Sequence, residues 1–148
     1  MRTVLLLVIV LIVGAQFVPV TRDNPPVAAD FDGDAAVKAV LKESCYNCHS
    51  NETVWTAPQS FVAPASWWVA RDVSDGRQEL NFSRWASYDA RRLARKGKEI
   101  QAQVSHGSMP PLLYRLAHPE AKLSDADRAA LITWAGGLQT APVTPSQK

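Results

Sequence analysis

Cys45-Tyr46-Asn47-Cys48-His49 contains both cysteines of this 148-residue chain. Two residues separate the thiols and a histidine follows the second, which is the spacing of a c-type haem attachment site. One helical turn at that spacing puts both sulfurs on one edge of a porphyrin, where thiols can close thioethers to vinyl groups. The next residue then turns its imidazole beneath the iron. Cys45 and Cys48 are therefore expected to hold one covalent haem c, with His49 as the proximal ligand.

Three other chemistries use paired cysteines. A thioredoxin-like redox pair needs βαβ surroundings, and the flanks here read as helical. A disulfide between residues 45 and 48 is compatible with an exported protein. Zinc needs a second, well-spaced pair of ligands, and His106 and His118 stand twelve residues apart beside prolines.

Upstream, Thr3 to Thr21 is uncharged and Val4 to Val13 is purely aliphatic, with Arg2 in front. As a helix, that stretch would span roughly 28 Å, against about 30 Å of hydrocarbon. It reads as a membrane anchor or as a cleaved signal peptide, with Val13-Gly14-Ala15 as the small residues before a cut. Either reading exports the rest of the chain, and haem attachment to CxxCH proteins is completed outside the bacterial cytoplasm. The expected location is the periplasmic side of the inner membrane, anchored there, or soluble in the periplasm after cleavage. Residues 22–33, with Pro25 and Pro26, read as an extended linker. Asp34 offers an N-cap to a helix ending near Ser44, with Val37, Val40 and Leu41 on one face.

Downstream, periodicity predicts helices over Ala65 to Leu80 and Ser87 to Val104. A short turn is expected at Leu112 to Leu116. A last helix opens at Ser124, with Asp127 in the reciprocal capping position, and Gly136-Gly137 is expected to stop it. Residues 139–148 read as a disordered tail. No alternating strand stands out. The expected class is all-α: a small cytochrome c-like helical domain over residues 34–138, after the N-terminal hydrophobic helix.

Met109 precedes Pro110-Pro111 in a loop, sixty residues after His49, and Met1 is the only other methionine. Its soft thioether would be the sixth iron ligand and would raise the potential relative to a second imidazole. His106, three residues earlier, is the competing ligand, and a core gap-filling role for Met109 is the structural alternative. His118 reads as a surface or capping histidine. Trp55, Trp67, Trp68 and Trp85 are candidate pocket walls or ordinary core. Tyr46 and Asn47 are expected to face solvent or the haem edge. Arg71 or Arg84 could pair with a propionate.

Sixteen basic residues balance fourteen acidic ones along the chain, which argues against nucleic-acid binding. The basic run Arg91 to Lys98 reads as a solvated helix face, or as a patch for an acidic redox partner or anionic lipid.

The ordered blocks Asn24-Pro25-Pro26, Cys45 to Thr53, Val62 to Trp67, Asp75-Gly76-Arg77, Leu80 to Ser83, Met109-Pro110-Pro111 and His118 to Ser124 resemble those of the small exported haem-binding domain family, a relative of the c-type cytochromes. The resemblance runs from about Asn24 to Ala135. It implies haem c, a mainly helical fold and a hydrophobic N-terminal segment, which favours the anchor. The function expected from these features is a membrane-tethered monohaem electron carrier with His/Met ligation and a redox partner protein. The alternative is a haem sensor or small peroxidase-like enzyme with an open sixth site near His106.

Overall fold

The computed structural model describes residues 1–140. Among them are seven α-helices and no strand; the one β-type pairing is an isolated parallel bridge between Ala29 and Arg84. The all-α expectation holds.

Helix α1 (Arg2–Ala15) is apolar and buries none of its residues. It is shorter than the helix expected over residues 3–21. Pro19 cannot continue a helical ladder and restricts Val18 before it. Gln16 turns its side-chain amide back to the Ile12 carbonyl at 2.9 Å. Fourteen residues rise only about 21 Å, and no described helix is long and apolar enough to cross a membrane. The same Gln16 amide pairs with the Ala63 backbone, accepting from its N–H at 3.0 Å and donating to its carbonyl at 3.4 Å.

Residues 22–33 are not a free linker. The prolines do keep the segment extended, but extended backbone can pair. Ala28 and Ala29 both donate to the Ser83 carbonyl, at 3.1 and 3.0 Å, and the Ala29 carbonyl accepts from Trp85 at 2.8 Å. Phe31, only 2% exposed, packs edge-on against Phe82, Trp85 and Trp134 at centroid distances of 6.3, 5.2 and 5.3 Å. A single aromatic in a proline-rich stretch has no periodic partner, so sequence pattern cannot mark it as core.

Helix α2 (Ala35–Ser44) starts where expected. Asp34 accepts from Ala36 N–H at 2.8 Å and Val37 N–H at 3.0 Å, satisfying two orphan donors. Val37 and Leu41 are its buried face. It leads straight into the single turn α3 (Tyr46–His49). Helix α4 (Ala65–Glu79) agrees with its predicted span. Helix α5 (Ala90–Ser105) begins three residues later than expected, because a 3₁₀ turn takes Trp85–Ser87 and Asp89 caps α5 by accepting from Arg92 N–H at 2.8 Å. Helix α6 (Leu112–Ala117) fills the expected short turn.

Helix α7 (Asp125–Thr140) opens on the predicted reciprocal cap. Ser124 Oγ accepts from Asp127 N–H at 3.1 Å, and the Asp127 carboxylate accepts from Ser124 N–H at 3.2 Å. Gly136-Gly137 does not stop it. Helices α5 and α7 lie against each other along their lengths, and Gln139 donates to Gln101 at 3.0 Å. That packing outweighs the roughly 1 kcal/mol by which each glycine disfavours helix. Gln139 and Thr140, expected in the tail, thus close α7; the rest of that tail lies outside the described residues.

Candidate functional site

Helix α2 delivers Cys45, and α3 winds Cys48 and His49 into the same turn. His49 N–H donates to the Cys45 carbonyl at 2.9 Å and Cys48 N–H to the same carbonyl at 3.2 Å. Both thiols are free and half-buried. Burial pushes the Cys45 thiol up to about 12, with Cys48 adding to the rise. Burial likewise pushes Cys48 up to about 11, with Asp72 adding and Arg77 opposing. Raised thiol pKa values run opposite to the lowered ones of activated redox cysteines. Among the described residues no group of three His, Cys, Asp or Glu side chains is placed to hold a metal ion.

The orientation of His49 is set by α4. Its Nδ1 lies 2.9 Å from the Gly76 carbonyl and 3.2 Å from the Leu80 carbonyl. Both partners are acceptors, so Nδ1 carries the proton and Nε2 keeps its lone pair. Burial lowers the His49 pKa, against the raising effect of the two carbonyls, and favours the neutral imidazole. Metal-ligating histidines are typically held this way, with the ring nitrogen away from the metal donating to a fixed acceptor. Gly76 allows it: a Cβ there would stand 2.7 Å from the Cys48 carbonyl oxygen. The glycine that weakens a helix in sequence is what lets α4 close against the cysteine turn.

Arg77 locks the rear of the turn. Its guanidinium donates to the carbonyls of Ser50 and Asp23 at 2.7 and 2.9 Å, to Asn24 Oδ1 at 2.7 Å and to Thr53 Oγ1 at 2.9 Å. Asn51 extends the network: its N–H reaches Ser83 Oγ at 2.9 Å, its amide donates to the Pro26 carbonyl at 2.8 Å and accepts from Asn81 at 2.8 Å. Sequence reasoning points to Arg71 and Arg84 and misses Arg77. Its place inside the block Asp75-Gly76-Arg77 is the signal that could have found it. Four of the sequence blocks that carry the family resemblance thus meet here, around one partly buried polar network.

Tyr46 does not face solvent. It is 4% exposed, stacks on Phe82 at 5.0 Å and donates to Asp30 at 2.7 Å. Asn47 folds back onto the loop after the turn, accepting from Val54 N–H at 2.7 Å. Trp85 is buried core; Trp67 and Trp68 are 37% and 64% exposed. Arg71 pairs with Asp75 at 3.4 Å. In the basic run, Lys96 is buried between Glu99 at 2.8 Å and Glu79 at 3.9 Å, while Arg91, Arg92, Arg95 and Lys98 are exposed.

The distal candidates are less constrained. His106 is the exposed C-cap of α5. Met109 is 37% exposed and offers its N–H to the Gln103 carbonyl at 3.4 Å. No hydrogen bond joins either residue to the cysteine turn. Met109 does share an uncovered apolar stretch with Leu112, Leu113 and Leu116, which are 62%, 77% and 70% exposed. Between those leucines, Tyr114, its hydroxyl pushed up chiefly by burial, lines a small cleft together with Tyr46, Asn47 and His118. His118 stacks on Tyr114 at 4.5 Å and holds Glu120 at 3.1 Å, the surface role expected of it.

Two free thiols on one turn, and an imidazole whose protonated nitrogen is tied to backbone, form a donor set that fits a covalently held haem. Residues 10–136 match the haem-binding domain family, and the chain belongs to it. No curated protein and no solved structure matches the chain.

Proposed function

We propose that the protein is an exported monohaem c-type electron carrier. The observation that carries this reading is the His49 Nδ1–Gly76 hydrogen bond of 2.9 Å, which leaves Nε2 available one residue after the second of two free thiols. Cys45 and Cys48 would hold the porphyrin edge through thioethers, and His49 Nε2 would ligate the iron. Met109 is the proposed sixth ligand, because its thioether belongs to the uncovered apolar Met109–Leu116 stretch and a thioether suits haem iron, whereas His106 caps α5 in solvent. A bound haem supplies one-electron redox chemistry. The chain's own contribution is to fix the imidazole tautomer, present both cysteines on one turn and offer apolar surface to the ring. A carrier rather than a catalyst results if both axial positions are filled by protein.

For location, the reading is export to the periplasmic side of the bacterial inner membrane, driven by the apolar N-terminal stretch. There α1 would rest at the lipid surface rather than span it. A redox partner protein completes the proposal.

The test is expression with haem-attachment machinery, followed by peptide mass spectrometry and optical spectra of both oxidation states. A haem mass on the Cys45–His49 peptide with a six-coordinate low-spin ferric spectrum is expected. A chain recovered without haem mass sinks the proposal.

A further inference from the structure

A cleft of about 1180 Å³ has none of Cys45, Cys48 or His49 in its lining. It opens between the chain leaving α1, helix α4 and the approach to α5. Arg71, Arg77, Arg84 and Arg92 line it against one carboxylate, Asp23. Arg77 is committed to the Ser50–Thr53 network. Arg84 has no acidic partner among the described residues, and Arg92 has only Asp89 at 3.8 Å, too long for a hydrogen bond.

Residues 18–21 line part of the cleft and continue a helix that is apolar and buries none of its residues. Trp67, 37% exposed, lines the same cleft, and tryptophan favours the boundary between headgroups and hydrocarbon. Phe61 and Val62, 52% and 49% exposed, immediately precede the Ala63 to which Gln16 is bonded. Arg22 lies 4.9 Å over the Phe61 ring. Cationic side chains therefore converge at the end of a greasy helix, beside exposed aromatic rings.

We propose that this cleft is a headgroup site for anionic phospholipid, in which the Arg84 and Arg92 guanidinium groups pair with the phosphodiester while α1 rests at the lipid surface. Guanidinium matches phosphate oxygens bidentately. Free inorganic phosphate shares that chemistry, but it would leave the apolar wall and Trp67 unused. The proposal rests on the placement of α1 at a membrane and is independent of the haem reading.

Flotation of the full chain with phosphatidylcholine vesicles, with and without phosphatidylglycerol, tests it. Arg84→Gln with Arg92→Gln is compared with the charge-matched pair Lys98→Gln with Lys122→Gln, both exposed and outside the cleft. Each basic group held at an anionic surface contributes enough for about a thirtyfold loss from two. That loss of phosphatidylglycerol-dependent binding is expected for the arginine pair, and less than about threefold for the lysine pair. In a soluble arm, the Arg84 side-chain N–H resonance should shift with short-chain phosphatidylglycerol and stay fixed with equal inorganic phosphate. Equal losses for the two pairs, no phosphatidylglycerol enhancement, or an equal shift with inorganic phosphate would overturn the proposal.

Discussion

The imidazole of His49 is oriented by Gly76, whose carbonyl accepts the Nδ1 proton at 2.9 Å while its missing side chain lets Cys48 approach. One residue thus sets both the tautomer of the imidazole and the depth at which the cysteine turn sits.

Gly76→Ala should be costly out of proportion to its size. Helix propensity alone would favour alanine, but the new Cβ meets the Cys48 carbonyl, which is backbone and cannot rotate away. Overpacking of this kind costs about 1–3 kcal/mol. Denaturant titration of the unloaded chain should show a loss of that order, and haem recovery per mole of protein should fall with it.

Phe31→Ala tests whether residues 22–33 belong to the folded unit. Removing a ring 2% exposed should cost about 3–5 kcal/mol. A free linker would tolerate the change, so an unaltered denaturation midpoint would contradict the packing of Phe31 into the core.

Arg77→Met removes donors to four acceptors while keeping an apolar stem. With about 0.5–1.5 kcal/mol per net hydrogen bond, and part of the group wet, a loss of about 2–3 kcal/mol is expected. Hydrogen exchange should quicken at the Asn51 amide, which is tied to the same loop through Ser83.

Met109→Ala, in loaded protein, should lower the reduction potential while the haem stays attached, because a thioether ligand favours ferrous iron. His106→Ala should leave the potential unchanged. Optical potentiometry reads both; the reverse pattern would hand the sixth position to His106.

Acid stability should depend on Asp30. Burial pushes its carboxyl up, but the Lys38 and Tyr46 hydrogen bonds and the Lys38 charge outweigh that and hold it below the usual value; Lys38 Nζ is 2.8 Å away. A depressed folded pKa adds stability above the unfolded value of about 3.9, and that stability is lost as pH falls through the folded value. Asp30→Asn should flatten this part of the acid limb and leave a constant deficit above about pH 5. Unfolding free energies from pH 2 to 7 provide the check.

Local signals carry most of the helical layout. Asp34 announces α2, and the Ser124–Asp127 pair announces α7, because a cap is a contact within four residues. The features that escape a sequence reading depend on distant packing. Phe31 is core only because Phe82, Trp85 and Trp134 surround it, and Gly136-Gly137 stays helical only because α5 lies alongside. At the site, the motif residues are plain from spacing. The roles of Gly76 and Arg77 are not, since each works on backbone 27 or more residues away in the chain.

The Gln16–Ala63 pairing leaves almost no slack between α1 and the domain. A carrier on a long leash can swing out to search for its partners. This one would be held at a set standoff and bearing from whatever surface receives α1, so its redox edge would sweep little space. On the proposed function, any donor or acceptor would then have to reach that edge where the Gln16–Ala63 pairing holds it.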